Sequence, residues 1–544
     1  MAFPHPLRIQ PAHLMVEDNK VVDAQHGDWY FQYEGVAETT YIYLEGSGLF
    51  DLIEQQQDLV VCEVGFGTGL TFALVQAALR ERSYGGRLRY VGVERAPLTV
   101  DQAKIANAQR SAELAWSPPS EKPRAGFVQA SEDLLLLHGE ASEALSRLEA
   151  KVDLWFLDGF SPSKNPDAWT IALFEQVARL SRPGAKLSTF TAVSDVRRGL
   201  ETVGFRVKRR SGWGKKREHL TGQFAGDWAP RAQPKEPLNI AGAGIAGLNL
   251  ALEAQKVGWR PIVHGTGLKP QGSAVPRALV NFKPSGDLGP LGHLRRSAFF
   301  GLSNYEALAD FGVETVISDP KVKARWAEEQ DVEHHWTSDD QVMVSKALSL
   351  DTEAFQAAVL SRVEHQPEAL ETVQGATVVA AGLGSKVFAD LRLNPNRGQQ
   401  DLVDLDPPLN HPLNFGRLLL PLGQGEQAWL GASFDRQPGN NWAEPSLEDR
   451  EENLNRARTN LPDMTFAEQG QSWVGLRATT PDHLPLAAWL GTELAVLTGL
   501  GSKGFLYAPI LAQCLIAESL GLPLSLENWV WRALHPNRFQ KKEA

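Results

Sequence analysis

Cysteine is nearly missing from this chain of 544 residues, with only Cys62 and Cys514 present. Two thiols so far apart suggest neither a disulfide framework nor a zinc site, and a reducing cytoplasm is the compartment they imply. Long apolar runs are also missing. The longest weakly polar stretch, Leu238 to Leu252, contains three glycines and is shorter than a membrane span. The opening MAFPHPLRIQPAH lacks the charged-then-apolar pattern of a signal peptide. There is no short-period repeat and no low-complexity tract. Nor is there a surplus of positive charge: 54 basic residues face 65 acidic ones, for a net −11. That balance argues against a general nucleic-acid coat, although a local basic patch remains possible. With 43% apolar and 22% charged residues the composition is ordinary and globular, which excludes disordered, collagen-like and coiled-coil chains. Neither a membrane nor a metal is expected as a partner.

What the chain does have is two glycine-rich turns, each following a strand-like run: DLVVCEVGFGTGLTF from Asp58 and LNIAGAGIAGLNLAL from Leu238. Between them GDWAPRAQPKEP, Gly226 to Pro237, is rich in proline and charge and reads as a linker. The boundary falls there, giving domains 1–229 and 230–544. In the first half, strand-like runs (Leu59–Val64, Leu88–Val93, Leu134–Leu137, Leu154–Leu157, Lys186–Phe190) alternate with helical ones (Leu70–Arg82, Ala141–Leu148, Ala168–Leu180). This alternation predicts βαβ units and a mostly parallel sheet. Phe205–Arg210 and Arg217–Phe224, joined by SGWGKK, read as a closing antiparallel hairpin. The second half opens as strand, glycine turn, helix (Gly247–Val257) and strand (Pro261–His264). Thr377–Ala380 and Leu494–Thr498 later precede further glycine turns. Pro284 to Gly375 shows no βα repeat and reads as part of an inserted substrate domain.

In EVGFGTG, Glu63 ends a buried strand and Gly65, Gly67 and Gly69 let the backbone approach a ligand at a helix N-terminus. Glu94 ends the next strand, where a carboxylate can accept both ribose hydroxyls. Glu140, after a third strand end, could face an adenine edge. Together they describe an S-adenosylmethionine site better than a dinucleotide site. Asp158, in DGFSPSKNPDAW, stands at a strand's carboxyl end, where it can orient an amine and take its proton; a simple turn cap is the structural alternative. Arg206 to Glu218 holds a dense basic cluster. It consists of Arg206, Lys208, Arg209, Arg210, Lys215, Lys216 and Arg217 with Trp213 at its centre, a pattern suited to phosphate contacts with stacking, or to a solvated hairpin.

GAGIAG, with Gly242, Gly244 and Gly247, matches the dinucleotide fingerprint and is expected to hold a pyrophosphate. The acid expected roughly 20 residues on is absent, since Ala254 to Gly286 contains no Asp or Glu. His264 or Thr266 could contact the ribose instead. In TGLGSKGFLYAPI, Gly501 and Gly504 frame a helix start with Lys503 at the turn, which suits the negative charge of a reduced flavin. Arg477, in GLRATTPDHLP, could clamp a carboxylate bidentately.

The stretches GVAETTYIYLEGSGL, EVGFGTGLTF, DGFSPSKNPDAW, GWGKKRE, GAGIAG, NRGQ, GLRATTPDHLPL and GLGSKGFLYAPIL occur in order across both halves. In this the chain resembles the family of bifunctional tRNA 5-methylaminomethyl-2-thiouridine biosynthesis proteins. The resemblance implies an α/β chain in which a Rossmann-like class I methyltransferase domain is fused to a D-amino-acid-oxidase-like FAD-binding domain with an inserted α+β substrate subdomain. It implies FAD and S-adenosyl-L-methionine as cofactors and the wobble uridine of tRNA as substrate. The C-terminal half would oxidise a carboxymethylaminomethyl group, releasing glyoxylate, and the N-terminal half would methylate the resulting amine. Arg477 would hold the carboxylate that is lost. The chain departs from the family in the missing acid, in GSAVPRALVNF after the second strand, in Ser47 for Asn, and in Lys503 for Arg. A second reading keeps the methyltransferase alone as an enzyme, with the flavin fold as a tRNA-binding or scaffold module. A third has both halves acting on a free small amine.

Overall fold

Leu59–Val64 (β1) is buried at every residue, as a strand covered on both faces by helices must be. In the computed structural model, which describes residues 3–17, 20–31, 35–56, 58–108, 110–214, 216–227, 237–267, 272–439 and 441–540, β1 is central to the first of two units. After β1 come the helix Leu70–Glu81 (α1) and the strands Leu88–Glu94 (β2), Gly126–Gln129 (β3), Leu134–His138 (β4), Val152–Leu157 (β5), Ser181–Thr189 (β6), Phe205–Ser211 (β7) and Glu218–Phe224 (β8). They form one sheet in the order β7-β8-β6-β5-β1-β2-β4-β3. From β6 to β4 the sheet is parallel, while β8 and β3 run antiparallel to their inner neighbours. The predicted hairpin is the antiparallel pair β7–β8. The winding reverses between β1 and β5, and a crevice opens at that point beyond the carboxyl ends of the strands. Gly65 makes this possible: its φ is +91°, and a Cβ there would lie 2.2 Å from the carbonyl oxygen of Asp158.

The second unit begins with Leu238–Ala241 (β9), Ile245–Lys256 (α2) and Pro261–His264 (β10). Glu364–Gln366 (β11), Thr377–Val379 (β12), Leu486–Trp489 (β13), Leu494–Thr498 (β14) and Gly504–Ser519 (α3) follow later. Its first sheet runs β11-β10-β9-β12-β14-β13, parallel except for β13. A second, nine-stranded sheet is built between Arg277 and Thr479, with its longest pairing between Asn394–Asp406 and Thr465–Thr479. The inserted region thus extends past Gly375. Within Pro284–Gly375, β11 belongs to the nucleotide sheet; three residues are too few for a strand period to show.

The units are Met1–Gln233 with Ala517–Asn528, and Pro234–Ile516 with Trp529–Ala544. The boundary read at 229/230 lies outside the described residues. The segment 517–528 groups with the first unit through local bonds. Leu524 N–H donates to Glu149 O (3.0 Å), Asn528 N–H donates to Arg147 O (2.7 Å), and Glu527 pairs with the buried Arg147 (3.1 Å). Among the described residues no helix is long and apolar enough to cross a membrane, and no cluster of His, Cys, Asp and Glu could hold a metal ion.

Candidate active sites

A cavity of about 480 Å³ occupies the crevice of the first unit. Its walls are rich in carboxylates, with Asp28, Glu38, Glu63, Glu94, Glu140 and Asp158 facing Arg95 and Lys216. Glu63 is buried and accepts a hydrogen bond from the Tyr90 hydroxyl (2.8 Å); burial, with Asp158 nearby, pushes its carboxyl well above the usual range. Glu94 ends β2 and accepts from the N–H groups of Gly67 and Ala96, each at 2.8 Å. The carboxylate is thereby fixed beside the glycine turn, and burial outweighs these bonds in raising its pKa. Glu140 lines the cavity, but its oxygens cap the helix Ala141–Ser146 through Ser142 N–H (3.1 Å) and Glu143 N–H (2.8 Å).

Asp158 sits just beyond β5. Its Oδ1 accepts a 2.5 Å bond from the Tyr43 hydroxyl, and burial pushes its pKa up to about 6, against the lowering effects of Tyr43 and Lys216. Tyr43 lies in the short π-helical segment Thr40–Glu45, so a residue quoted only as part of a motif is a direct partner of the candidate base.

The basic cluster divides. Lys216 faces the cavity, where it pairs with Glu38 (2.8 Å) and lies over the Phe190 ring (4.8 Å). Trp213 departs from the expectation of a free stacking surface, because it is half-buried and packed on Tyr41 at 5.5 Å between ring centroids. Arg217 is exposed. Lys215 lies outside the described residues.

The second unit holds a cavity of about 570 Å³ that reaches from the first glycine turn to the turn before α3. Gly244, Ile245 and Ala246 line one end, and Gly501, Lys503 and Gly504 line the other. The fingerprint glycines are needed by the fold itself: a Cβ on Gly247 would lie 1.8 Å from Gly242 O, and one on Gly242 would lie 2.5 Å from Ala380 O. His264 departs from the expected ribose contact. It is buried, it is not part of the cavity wall, and its Nε2 lies 2.9 Å from Asn239 Oδ1; burial lowers its pKa.

Arg477 lies on the cavity wall with weak polar contacts of 3.4 Å to Asn396 Oδ1 and Ser433 O, and its guanidinium stands 4.9 Å from the Phe434 ring centroid. Burial, aided by Arg417, pushes its pKa down to about 10. No carboxylate among the described residues pairs with it. Lys503 is exposed on the wall of the cavity, where desolvation, Arg295 and Lys283 lower its pKa. Arg417, which sequence reasoning missed, also lines the cavity and pairs with Glu452 at 2.8 Å. The glycine cradle, two helix N-termini and this positive wall fit the pyrophosphate and ring of FAD.

Residues 106–225 match the model of an S-adenosyl-L-methionine-dependent methyltransferase family, and residues 303–518 that of the FAD dependent oxidoreductases. Among solved structures, iminodiacetate oxidase from Chelativorans sp. BNC1 aligns with 55% of this chain and 98% of its own (16% identity, TM-score 0.46). MNMC2 from Aquifex aeolicus aligns with 42% and 75% (21% identity, TM-score 0.33). Two relatives are both tRNA 5-methylaminomethyl-2-thiouridine biosynthesis bifunctional proteins MnmC. That of Maricaulis maris is 31% identical, over 95% of this chain and 94% of the relative. That of Caulobacter vibrioides is 32% identical, over 96% of each. With likeness at that level along nearly the whole of both chains, the chain belongs to the family of bifunctional tRNA 5-methylaminomethyl-2-thiouridine biosynthesis proteins.

Proposed function

We propose that the chain performs two successive steps on the wobble uridine of tRNA, in the cytoplasm, with methyltransferase residues 1–229 and oxidase residues 230–544. The carboxymethyl group of 5-carboxymethylaminomethyl-(2-thio)uridine is first removed oxidatively, and the resulting 5-aminomethyl group is then methylated. Bound FAD supplies the two-electron oxidant for the first step, and S-adenosyl-L-methionine supplies the methyl group for the second.

The observation that carries this reading is Arg477, a guanidinium in a cavity wall with no carboxylate partner among the described residues. A buried cation without a counter-ion is costly, and a substrate carboxylate removes that cost. The turn of Gly242, Gly244 and Gly247 would hold the pyrophosphate, and Gly501, Lys503 and Gly504 would border the ring. Lys503 is the cation at that border. In the first unit Glu94 is the ribose acceptor, Gly65, Gly67 and Gly69 form the close-approach turn, and Glu63 and Glu140 complete the wall. Asp158, oriented by Tyr43, takes the proton of the aminomethyl group as it is methylated. Trp213, Lys216 and Arg217 lie on the hairpin that meets tRNA, with Lys216 turned toward the reaction, and Lys215 adds its charge to that contact.

The absorption spectrum of the purified protein tests this reading. A stoichiometric flavin band that bleaches anaerobically with tRNA carrying the carboxymethylaminomethyl group is expected. His264, bonded to Asn239 away from the cavity, favours the second reading, a flavin fold retained as a tRNA-binding or scaffold module. No band after FAD is added would select it.

A further inference from the structure

The oxidase cavity is lined by cations and, among the described residues, by no carboxylate. Arg277, Arg417, Arg477 and Lys503 line it, and Lys283 and Arg295 act on Lys503. A substrate that brings a carboxylate and a secondary amine therefore finds cations for the first and neutral acceptors for the second, of which the amide oxygens of Asn281 and Gln400 have no hydrogen-bond partner. Gln400 supplies one. It lines the cavity, it is 2% exposed, and its amide oxygen has no hydrogen-bond partner. A buried acceptor left open is costly unless something completes it. The terminal amide turns about a soft torsion, so its oxygen can be presented to the cavity.

Strand alternation places Gln400 relative to Arg477. On Asn394–Asp406, the residues Arg397, Gln399 and Asp401 turn toward the helix Leu447–Asn460: Arg397 pairs with Asp449, Gln399 bonds Ser446 at the helix N-cap, and Asp401 bonds Asn453. Asn396, Gly398 and Gln400 take the other face. The Arg477 guanidinium lies over Gly398, where a Cβ would come within 2.1 Å of its Nη2. Positions i and i+2 on one strand face are about 7 Å apart, which matches an N–CH2–COO⁻ unit with a hydrogen bond at each end. The cross-strand neighbours of Gln400, Gly431 and Trp473, carry no titratable group.

We propose that Gln400 accepts a hydrogen bond from the secondary amine of the carboxymethylaminomethyl group while Arg477 holds its carboxylate. A neutral amide stands there because it accepts an N–H while favouring the ammonium form far less than a carboxylate does. The amine must be free base before the adjacent carbon can lose hydride, and a carboxylate in that place would raise its pKa. This proposal rests on the oxidase reading above.

The test uses the full chain with FAD bound, following anaerobic flavin bleaching against pH and against the concentration of tRNA carrying the group. Gln400→Leu raises half-saturation about tenfold, while inhibition by propanoate, which has the carboxylate but no amine, is unchanged. Gln400→Glu moves the acid limb of the pH profile up by about one unit. Should Gln400→Leu lose flavin, Gln400→Met, of similar length, takes its place. Wild-type half-saturation in the Leu or Met variant, an equal loss of propanoate inhibition, or an unmoved acid limb in the Glu variant each overturns the proposal. Failure of the unaltered chain to bleach overturns the oxidase reading instead.

Discussion

Tyr43 and Asp158, 115 residues apart in sequence, share a 2.5 Å hydrogen bond at the reversal point of the methyltransferase sheet. The phenol donates to the carboxylate and so favours its ionised form, opposing the burial that raises its pKa to about 6. As a base Asp158 works only when ionised. Methyl transfer to aminomethyl-bearing tRNA therefore falls as pH drops through about 6. Tyr43→Phe removes the opposing bond and moves that limb upward by about one unit, equivalent to about 1.4 kcal/mol. Asp158→Asn lowers the rate by about 10²–10⁴-fold. Initial methylation rates across the pH range check all three.

Lys216 and Arg217 are adjacent in sequence but face different tasks. Arg217 is exposed, so Arg217→Gln weakens tRNA binding, lowers the slope of log affinity against log salt by about one, and leaves methyl transfer at saturating tRNA unchanged. Lys216 sits in the cavity and lowers the pKa of Asp158, so Lys216→Met slows the saturated reaction and shifts its acid limb upward. Salt titrations of binding beside single-turnover rates separate the two effects.

Arg477→Lys keeps the charge but loses the planar fork. Oxidation is expected to drop about 100-fold in kcat/KM, equivalent to about 2.7 kcal/mol, with bound flavin retained. Steady-state oxidation with modified tRNA, alongside the flavin-to-protein absorbance ratio, is the check.

Gly247→Ala places a methyl group where 1.8 Å separates it from the Gly242 carbonyl oxygen. The turn must open, so bound flavin is lost and the second unit is destabilised by about 1–3 kcal/mol. Methylation of tRNA that already carries the aminomethyl group persists. Flavin content and thermal unfolding measure the first two effects, and a methyl-transfer assay the third.

The glycine turns, the parallel strands and the residues at strand ends were legible because each reflects a local constraint: burial on both faces, a positive φ, or a helix start. Glu63, Gly65, Glu94 and Asp158 converge for that reason. Tyr43 was not legible as a partner, since nothing in its own segment points across 115 residues to Asp158. The basic run at Arg206–Glu218 shows its charge but not its direction, so Lys216 pairing with Glu38, and Trp213 packing on Tyr41, emerge only from the folded hairpin. Glu140 shows the same limit, since an acid at a strand end can face a ligand or cap the next helix, and here it caps. Gln400 and Arg417 were missed because one amide and one guanidinium in a long inserted sheet carry no motif.

The walls of the two cavities are of opposite sign, acidic in the first unit and cationic in the second. Loss of the carboxymethyl group turns the wobble substituent from a zwitterion into a plain ammonium ion. An acidic wall such as that of the first cavity suits this ion. The charge of each wall thus matches the form of the substituent that its own reaction consumes.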